Sequence, residues 1–290
     1  MSLTPKQVAQ AIGVSEASLK RWCDKGLVRA VKTAGGHRRL AIEDVLEFLR
    51  SSGRRPLNAD LLQLPAVRSA TSLTIEDSIR HLTEGLVVGD EALARRIVFD
   101  LYLAKTSVCE IGDRVICETM RRLGEKWTNH DLEPYQERRA CEICGRLFSQ
   151  LRDLLPILRE SAPLAIGGTL SGDAYRMPTV LVELALREAG WRAESFGTGL
   201  PSETLCAAMD TLRPKLFWLS VSFIGSVPEF LEQYNLIFER AQQLNILLAV
   251  GGRALHAEIR REMQYHAFCD SLRHVVNFVA GTNLASPLAV

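Results

Sequence analysis

Short apolar runs alternate with longer amphipathic stretches in the last part of this chain, from residue 163 onward. Three runs, 164–166, 216–221 and 246–250, have the length and character of buried strands. The stretches near 179–189, 202–212, 228–244 and 253–264 have the spacing of amphipathic helices. Because strands that alternate with helices form parallel sheets, this pattern predicts a parallel α/β domain.

The preceding sequence predicts a different architecture. From Thr74 to Leu155 the apolar residues recur at helical spacing, as in Ile79, Leu82 and Leu86, and this pattern predicts a helical bundle. Residues 51 to 73 lose that periodicity and gain Pro, Ser and Gly, which is typical of a linker. We therefore expect four parts: an N-terminal domain at 1–52, a linker at 53–73, a bundle at 74–160 and the α/β domain at 161–290.

Charge is distributed unevenly along the chain. Residues 1 to 55 contain eleven Lys or Arg and five acidic residues, a net charge of +6. Since the whole chain of 290 residues carries +1, the remaining 235 residues carry −5. A basic N-terminal region predicts nucleic acid as its partner.

Composition also bears on location and on the cysteines. An apolar run of the roughly 20 residues that a membrane helix needs is absent from the sequence, so we expect a cytoplasmic protein without a membrane partner. Seven cysteines, an odd and scattered set, indicate reduced thiols. Cys141 and Cys144 form a CxxC pattern on a predicted helix, where core packing is favoured over a metal or redox site.

The N-terminal domain begins with signals for two short helices. Thr4, Pro5 and Gln7 predict a capped first helix that ends at Ile12, and Gly13 predicts a tight turn. Ser15 is placed to cap a second helix over 15–25, with Leu19 and Trp22 on its buried face. Two helices joined in this way form a helix-turn-helix, whose second helix enters the major groove of DNA.

A hairpin and a third helix follow. The hairpin is predicted over Leu27–Leu40, with a Gly-containing turn at 33–36 followed by His37, Arg38 and Arg39. These basic residues next to a glycine turn suit a wing that contacts phosphates. Ile42, Val45, Leu46 and Leu49 predict one apolar side of a closing helix over Ala41–Arg50.

The sequences VAQAIGVSEASLKRWCDKGLV and GGHRRL resemble the MerR-type winged helix-turn-helix over about the first 50 residues. The resemblance implies double-stranded DNA as partner, and with the capping pattern it gives the expected DNA-binding residues Ser15, Ser18, Lys20, Arg21, His37, Arg38 and Arg39. The alternative is a basic domain that binds protein instead. One such unit contacts few base pairs, so we expect a homodimer or tetramer.

The loop at 172–178 lies between the first strand and first helix of the α/β domain, where such sheets bind ligands. The layout resembles the Rossmann-like (flavodoxin-like) B12-binding module of methionine synthase, corrinoid mutases and light-sensing MerR-type repressors. Forty-one residues separate Pro178 from Ser220, and 28 separate Ser222 from Gly251, which match the intervals of that family. The resemblance implies the cofactor-binding residues Asp173, Tyr175, Pro178, Ser220, Ser222, Gly251 and Gly252.

The resemblance extends into the bundle, where the B12-dependent repressors carry Trp, nine residues, and then Glu-His above the corrin. Trp127 and Glu137 stand at that interval here, and Arg138 replaces the histidine. In the loop, Tyr175 occupies the position of the cobalt-ligating histidine, and Pro178 replaces a glycine where the nucleotide tail of cobalamin would pass. A neutral phenol is a poor ligand for cobalt, so ligation by a protein histidine is expected to be lost.

Three hypotheses follow for this region. Cobalamin binds with its own base or water on cobalt; the region binds no cofactor and serves in oligomerisation; or Tyr175 is the metal ligand of a haem, or another tetrapyrrole binds. The expected function is a transcription regulator and not an enzyme. The competing hypothesis of a corrinoid-binding enzyme subunit is disfavoured because a mutase needs a substrate barrel that this chain is too short to hold.

Overall fold

The computed structural model describes residues 2–52, 54, 56, 58–62 and 74–282, and it divides the chain into two compact units, Met1–Ile157 and Leu158–Val290. Most of the predicted linker lies outside the described residues, apart from a 3-10 turn at Ala59–Leu62. Within the described ranges, none of the helices has the length and apolar character needed to cross a membrane.

The first unit begins with a winged helix-turn-helix, which confirms the predicted fold. Its helices are α1 (Pro5–Ile12), α2 (Glu16–Asp24) and α3 (Ile42–Ser52), and its antiparallel sheet, in the order β1-β3-β2, contains β1 (Ser2–Leu3), β2 (Val31–Lys32) and β3 (Arg38–Ala41). Thr4 caps α1 as predicted, because its Oγ1 accepts from the Gln7 amide at 3.2 Å while Gln7 Oε1 accepts from the Thr4 amide at 2.9 Å. Gly13 makes the turn at φ 70°, a conformation that favours glycine.

The core of the winged domain is formed by the apolar faces of its helices. Val8, Leu19 and Leu49 are fully buried. Trp22 packs on Phe48 with 5.1 Å between ring centroids, so it lies in the interface of α2 with α3. β1 was not predicted because two residues are too few to show a period.

Five helices complete the first unit and confirm the predicted helical region: α4 (Ile75–Val88), α5 (Glu91–Leu103), α6 (Val108–Glu110), α7 (Cys117–Thr128) and α8 (Pro134–Leu154). A π-helical segment, Ile111–Ile116, joins α6 to α7. The predicted apolar residues Ile79, Leu82 and Leu86 are buried. Helix α3 of the winged domain packs against α5 and α8, so the two parts of this unit are in contact.

The second unit is a five-stranded parallel sheet in the order β5-β4-β6-β7-β8, which confirms the predicted α/β domain. Its strands are β4 (Leu164–Gly168), β5 (Arg192–Ser195), β6 (Leu216–Ser220), β7 (Leu247–Gly251) and β8 (Ala267–Phe268). Its helices are α9 (Arg176–Glu188), α10 (Ser202–Leu212), α11 (Val227–Gln243), α12 (Ala257–Arg260) and α13 (Leu272–Gly281).

The prediction of a helix over 253–264 was wrong in extent, since α12 has four residues. Leu255 and Met263 lie outside those four residues and are buried in the apolar core of this unit, so their helical spacing in the sequence did not extend the helix. The sequence pattern also did not predict β5, β8 and α13. The strands β5 and β8 form the two edges of the sheet, and Arg192 and Glu194 interrupt the apolar pattern of β5.

Candidate functional site

Helix α2 presents the predicted DNA-contacting residues on its outer face. Lys20 and Arg21 are exposed, and Lys20 Nζ lies 2.8 Å from Glu16 Oε1. Ser15 Oγ caps the helix by accepting from the Ser18 amide at 3.1 Å, and it lies 2.9 Å from Ser18 Oγ. The two serines therefore hold the start of the helix, while the cations in the middle of the helix are exposed to solvent.

The wing is a tight turn between β2 and β3. The Thr33 amide donates to the His37 carbonyl at 2.8 Å, and the Gly36 amide donates to the Thr33 carbonyl at 2.8 Å. The His37 amide also donates to Thr33 Oγ1 at 3.2 Å. These bonds fix His37 in an exposed position beside the turn, where its imidazole is accessible to a partner.

Arg38 and Arg39 differ in their surroundings, although both were predicted to contact phosphates. Successive residues of a strand point to opposite faces of a sheet, and both residues lie in β3. Arg38 donates to Asp24 Oδ1 at 2.5 Å and to the Lys20 carbonyl at 3.1 Å, so it clamps the wing to the end of α2. Arg39 donates to the Arg38 carbonyl at 3.3 Å and is half-buried.

Some exposed cations beside α2 and the wing were not among the predicted contacts. Lys25 follows the last residue of α2, and Lys32 stands opposite Arg38 in the β2–β3 ladder. Their signal in the sequence was their charge and their closeness to the predicted helix and wing. Both extend the basic surface that begins with Lys20 and Arg21.

In the second unit, Asp173 organises the loops at the carboxyl edge of the sheet. Its side chain is buried, and Oδ2 accepts from the Ser222 amide at 2.6 Å and the Phe223 amide at 3.2 Å. Oδ1 accepts from the Tyr175 amide at 3.0 Å. The carboxylate therefore ties the loop after β4 to the loop after β6.

Tyr175 and Pro178 lie at the start of α9. The Tyr175 ring is 45% exposed, and the Arg253 guanidinium lies 4.6 Å from its centroid. Arg253 also donates to the Ser222 carbonyl at 3.2 Å. Pro178 is half-buried in the first turn of the helix. The predicted loop residues thus do come together at this edge.

The remaining predicted residues of the edge also have internal roles. Ser220 is buried at the end of β6. A Cβ on Gly251 would collide with the Cys269 carbonyl oxygen, and one on Gly252 would collide with that of Val221. The close approach of neighbouring backbone therefore requires glycine at both positions, with or without a ligand.

The predicted residues of the helical region lie at the end of α7 and the start of α8. Trp127 is 53% exposed, and the side chain of Arg138 is 85% exposed. Glu137 Oε1 accepts from Cys141 Sγ at 3.2 Å. Trp127 is thus a large apolar side chain held at the surface of this unit.

The Cys141 and Cys144 thiols have the surroundings of packing residues. Burial raises the pKa of Cys144 to about 12, and burial together with the hydrogen bond to Glu137 raises the pKa of Cys141 to about 12. Neutral thiols are weak nucleophiles and weak metal ligands. Among the described residues, no group of three or more His, Cys, Asp or Glu is placed to hold a metal ion.

Comparison with known proteins adds two family matches. Residues 2–53 match a helix-turn-helix domain, and residues 78–152 match a B12 binding domain. The second match contains Trp127, Glu137 and Arg138. Each of the two functional regions inferred for the first unit thus lies in a matched segment.

Two individual proteins resemble this chain over most of its length. The HTH-type transcriptional repressor CarA of Myxococcus xanthus is 23% identical over 239 residues, which cover 79% of this chain and 80% of that protein. The monomethylamine corrinoid protein of Methanosarcina barkeri superposes with a TM-score of 0.59 at 15% identity, covering 72% of this chain and all of that one. This chain therefore combines a helix-turn-helix domain with a region of the B12-binding type.

Proposed function

We propose that this chain is a transcription regulator that binds double-stranded DNA through its winged helix-turn-helix and is controlled through its B12-binding-type region. The observation that carries the proposal is the exposed basic face of α2, with Lys20 and Arg21, beside a wing that presents His37. A helix of this kind fits the major groove, while the wing contacts the adjacent backbone. The 23% identity with a transcriptional repressor over 79% of this chain supports this function.

Self-association is part of the proposal. A single α2 reads only a few base pairs, so useful specificity needs two or more copies on repeated half-sites. The regions after the winged domain supply the contacts between copies, giving a homodimer or tetramer. A ligand then controls DNA binding by having different affinities for the assembled and separate forms.

The ligand hypotheses differ in what they require of the protein. Cobalamin that keeps its own base on cobalt needs no protein ligand, and it leaves the Asp173 bonds intact. Cobalamin ligated by a loop imidazole does not fit, because position 175 carries a phenol. Two other hypotheses remain. In one, haem binds through Tyr175 or another tetrapyrrole binds; in the other, the region binds no cofactor. The proposal includes no catalytic reaction, since a fold shared with a corrinoid protein does not assign one.

The test of DNA binding is a mobility-shift titration of the full chain against a pool of random duplexes at several salt concentrations. We expect retention at low salt, and the Arg21→Ala variant should bind more weakly, with a salt slope smaller by about 1. Arg114→Ala is the matched control, because it removes one exposed cation from the helical region. Absence of any shift, or equal weakening in both variants, contradicts the proposal.

A further inference from the structure

An indole fills the space between the sheet and the first turn of α9 in the second unit. Trp218 lies in the middle of β6 and is 2% exposed. It pairs with Gly167 of β4, and a Cβ on that glycine would collide with the indole ring. The ring therefore lies directly against the Gly167 backbone and leaves no gap there.

Hydrogen bonds anchor the far end of the ring to α9. Trp218 Nε1 donates to Thr179 Oγ1 at 2.9 Å, and Thr179 is fully buried. Thr179 Oγ1 lies 3.1 Å from Ser195 Oγ, which accepts from the Gly197 amide at 3.3 Å. Since the buried indole N–H has its partner within the protein, this arrangement needs neither water nor a ligand to complete it.

We infer that Trp218 closes the α/β unit to the nucleotide tail of a corrinoid. The benzimidazole at the end of that tail is a flat bicyclic ring of nearly the same size as indole. The benzimidazole and the Trp218 side chain therefore cannot occupy the same space. Thr179 directly follows Pro178, the position beside which the resemblance places the tail. The inference rests on the B12-binding type of the region in the proposed function, and it restricts the ligand to tetrapyrroles whose binding buries no tail.

Asp173, Gly251 and Gly252 are consistent with this closure. Each has a role within the protein, as a clasp between loops or as a point of close backbone approach. Their presence therefore requires no buried tail. They fix the shape of the edge while Trp218 fills the interior.

The experiment compares cobalamin with cobinamide, a corrinoid that lacks the nucleotide, on the full chain by absorption spectroscopy and calorimetry. We expect either affinities within about threefold of each other or no binding of either, and no spectrum of cobalamin with its base detached. A base-detached spectrum, or cobalamin binding more than tenfold tighter than cobinamide, overturns the inference. A parallel mobility shift with duplex DNA shows separately whether the proposed function fails.

Substitution of single tryptophans tests whether Trp218 is the residue that blocks the nucleotide tail. Trp218→Gly should raise the preference for cobalamin over cobinamide at least tenfold, because it opens the space against Gly167. Trp191→Gly is the matched control, since it empties another fully buried indole position in the same apolar cluster and should give no such preference. A folded Trp218→Gly chain without the preference overturns the inference, and if that variant does not fold, the wild-type titration decides.

Discussion

Arg38 has the charge expected of a DNA contact, but its side chain makes bonds within the winged domain. Its guanidinium bonds both carboxylate oxygens of Asp24 and the Lys20 carbonyl near the end of α2. A cation near the C-terminus of a helix also interacts favourably with the helix dipole. Arg38 thus sets the angle between the wing and the helix that is expected to enter the groove.

Removing either partner of this clamp should loosen α2. We expect Arg38→Ala and Asp24→Ala each to speed hydrogen exchange of the 16–24 amides about fivefold, equivalent to about 1 kcal/mol for a partly exposed ion pair. The double variant should add little, because both changes remove the same contact. Hydrogen-exchange mass spectrometry measures the effect.

The two single variants also separate a clamp from a phosphate contact. If Arg38 acts on DNA alone, Asp24→Ala should strengthen DNA binding by removing a negative charge and should leave α2 exchange unchanged. That result would contradict the clamp. Arg39→Ala serves as the control from the same strand, since within the described part of the chain the Arg39 guanidinium bonds the Arg38 carbonyl and not α2.

Some site residues could be predicted from the sequence because the spacing of residues alone decides their contacts. Others could not, because their contacts join distant parts of the chain. The Thr4 and Ser15 caps were predicted because a capping bond spans three residues. The Arg38 clamp joins residues 14 apart, and the Trp218 closure joins a strand to a helix 39 residues earlier. Such pairings depend on strand register and tertiary packing, which local patterns do not specify.

Helix α3 is the element that joins the winged domain to the helical region. The Arg50 guanidinium lies 3.8 Å from the ring centroid of buried Tyr102 in α5. Lys105 Nζ, after the end of α5, donates to the Ser51 carbonyl at 3.1 Å. The winged domain is therefore in direct contact, through α3, with the region of B12-binding type.

Weakening this contact should affect α3 selectively. We expect Arg50→Ala to lose a cation–π interaction of about 1 kcal/mol and to speed hydrogen exchange in Ile42–Ser52 several-fold. The control is Arg80→Ala, which removes an exposed ion pair with Asp77 on α4. Unchanged hydrogen exchange in α3, or an equal effect of both variants, would show that the Arg50–Tyr102 contact does not hold α3 against the helical region.

Strands were predictable where they are buried along most of their length. The apolar runs that gave β4, β6 and β7 occupy the centre of the sheet, where both faces are covered. The edge strand β5 carries charged residues, the edge strand β8 has two residues, and α12 has four residues. Their structure comes from packing at the margins, which leaves little periodic signal.

At the scale of the whole molecule, the charge asymmetry and the order of the parts suit a regulator. The N-terminal 55 residues carry +6 and the rest carry −5. DNA therefore attracts one end of each chain while repelling the other, which favours binding through the winged domain alone. In the proposed assembly, the number of copies would determine how many winged domains reach one duplex.

Assembly predicts a dependence on the spacing of DNA half-sites. Once a half-site has been selected from random duplexes, two copies centred about 10 bp apart, or a multiple of that, face the same side of the helix. We expect cooperative binding to such a pair, and an insertion of about 5 bp should rotate one copy to the far side and weaken binding at least tenfold. Titrations at fixed salt measure this, with an insertion of about 10 bp as the control because it restores the facing. Equal affinity for all spacings would mean that each chain binds DNA independently, and the proposed assembly on DNA would then be wrong.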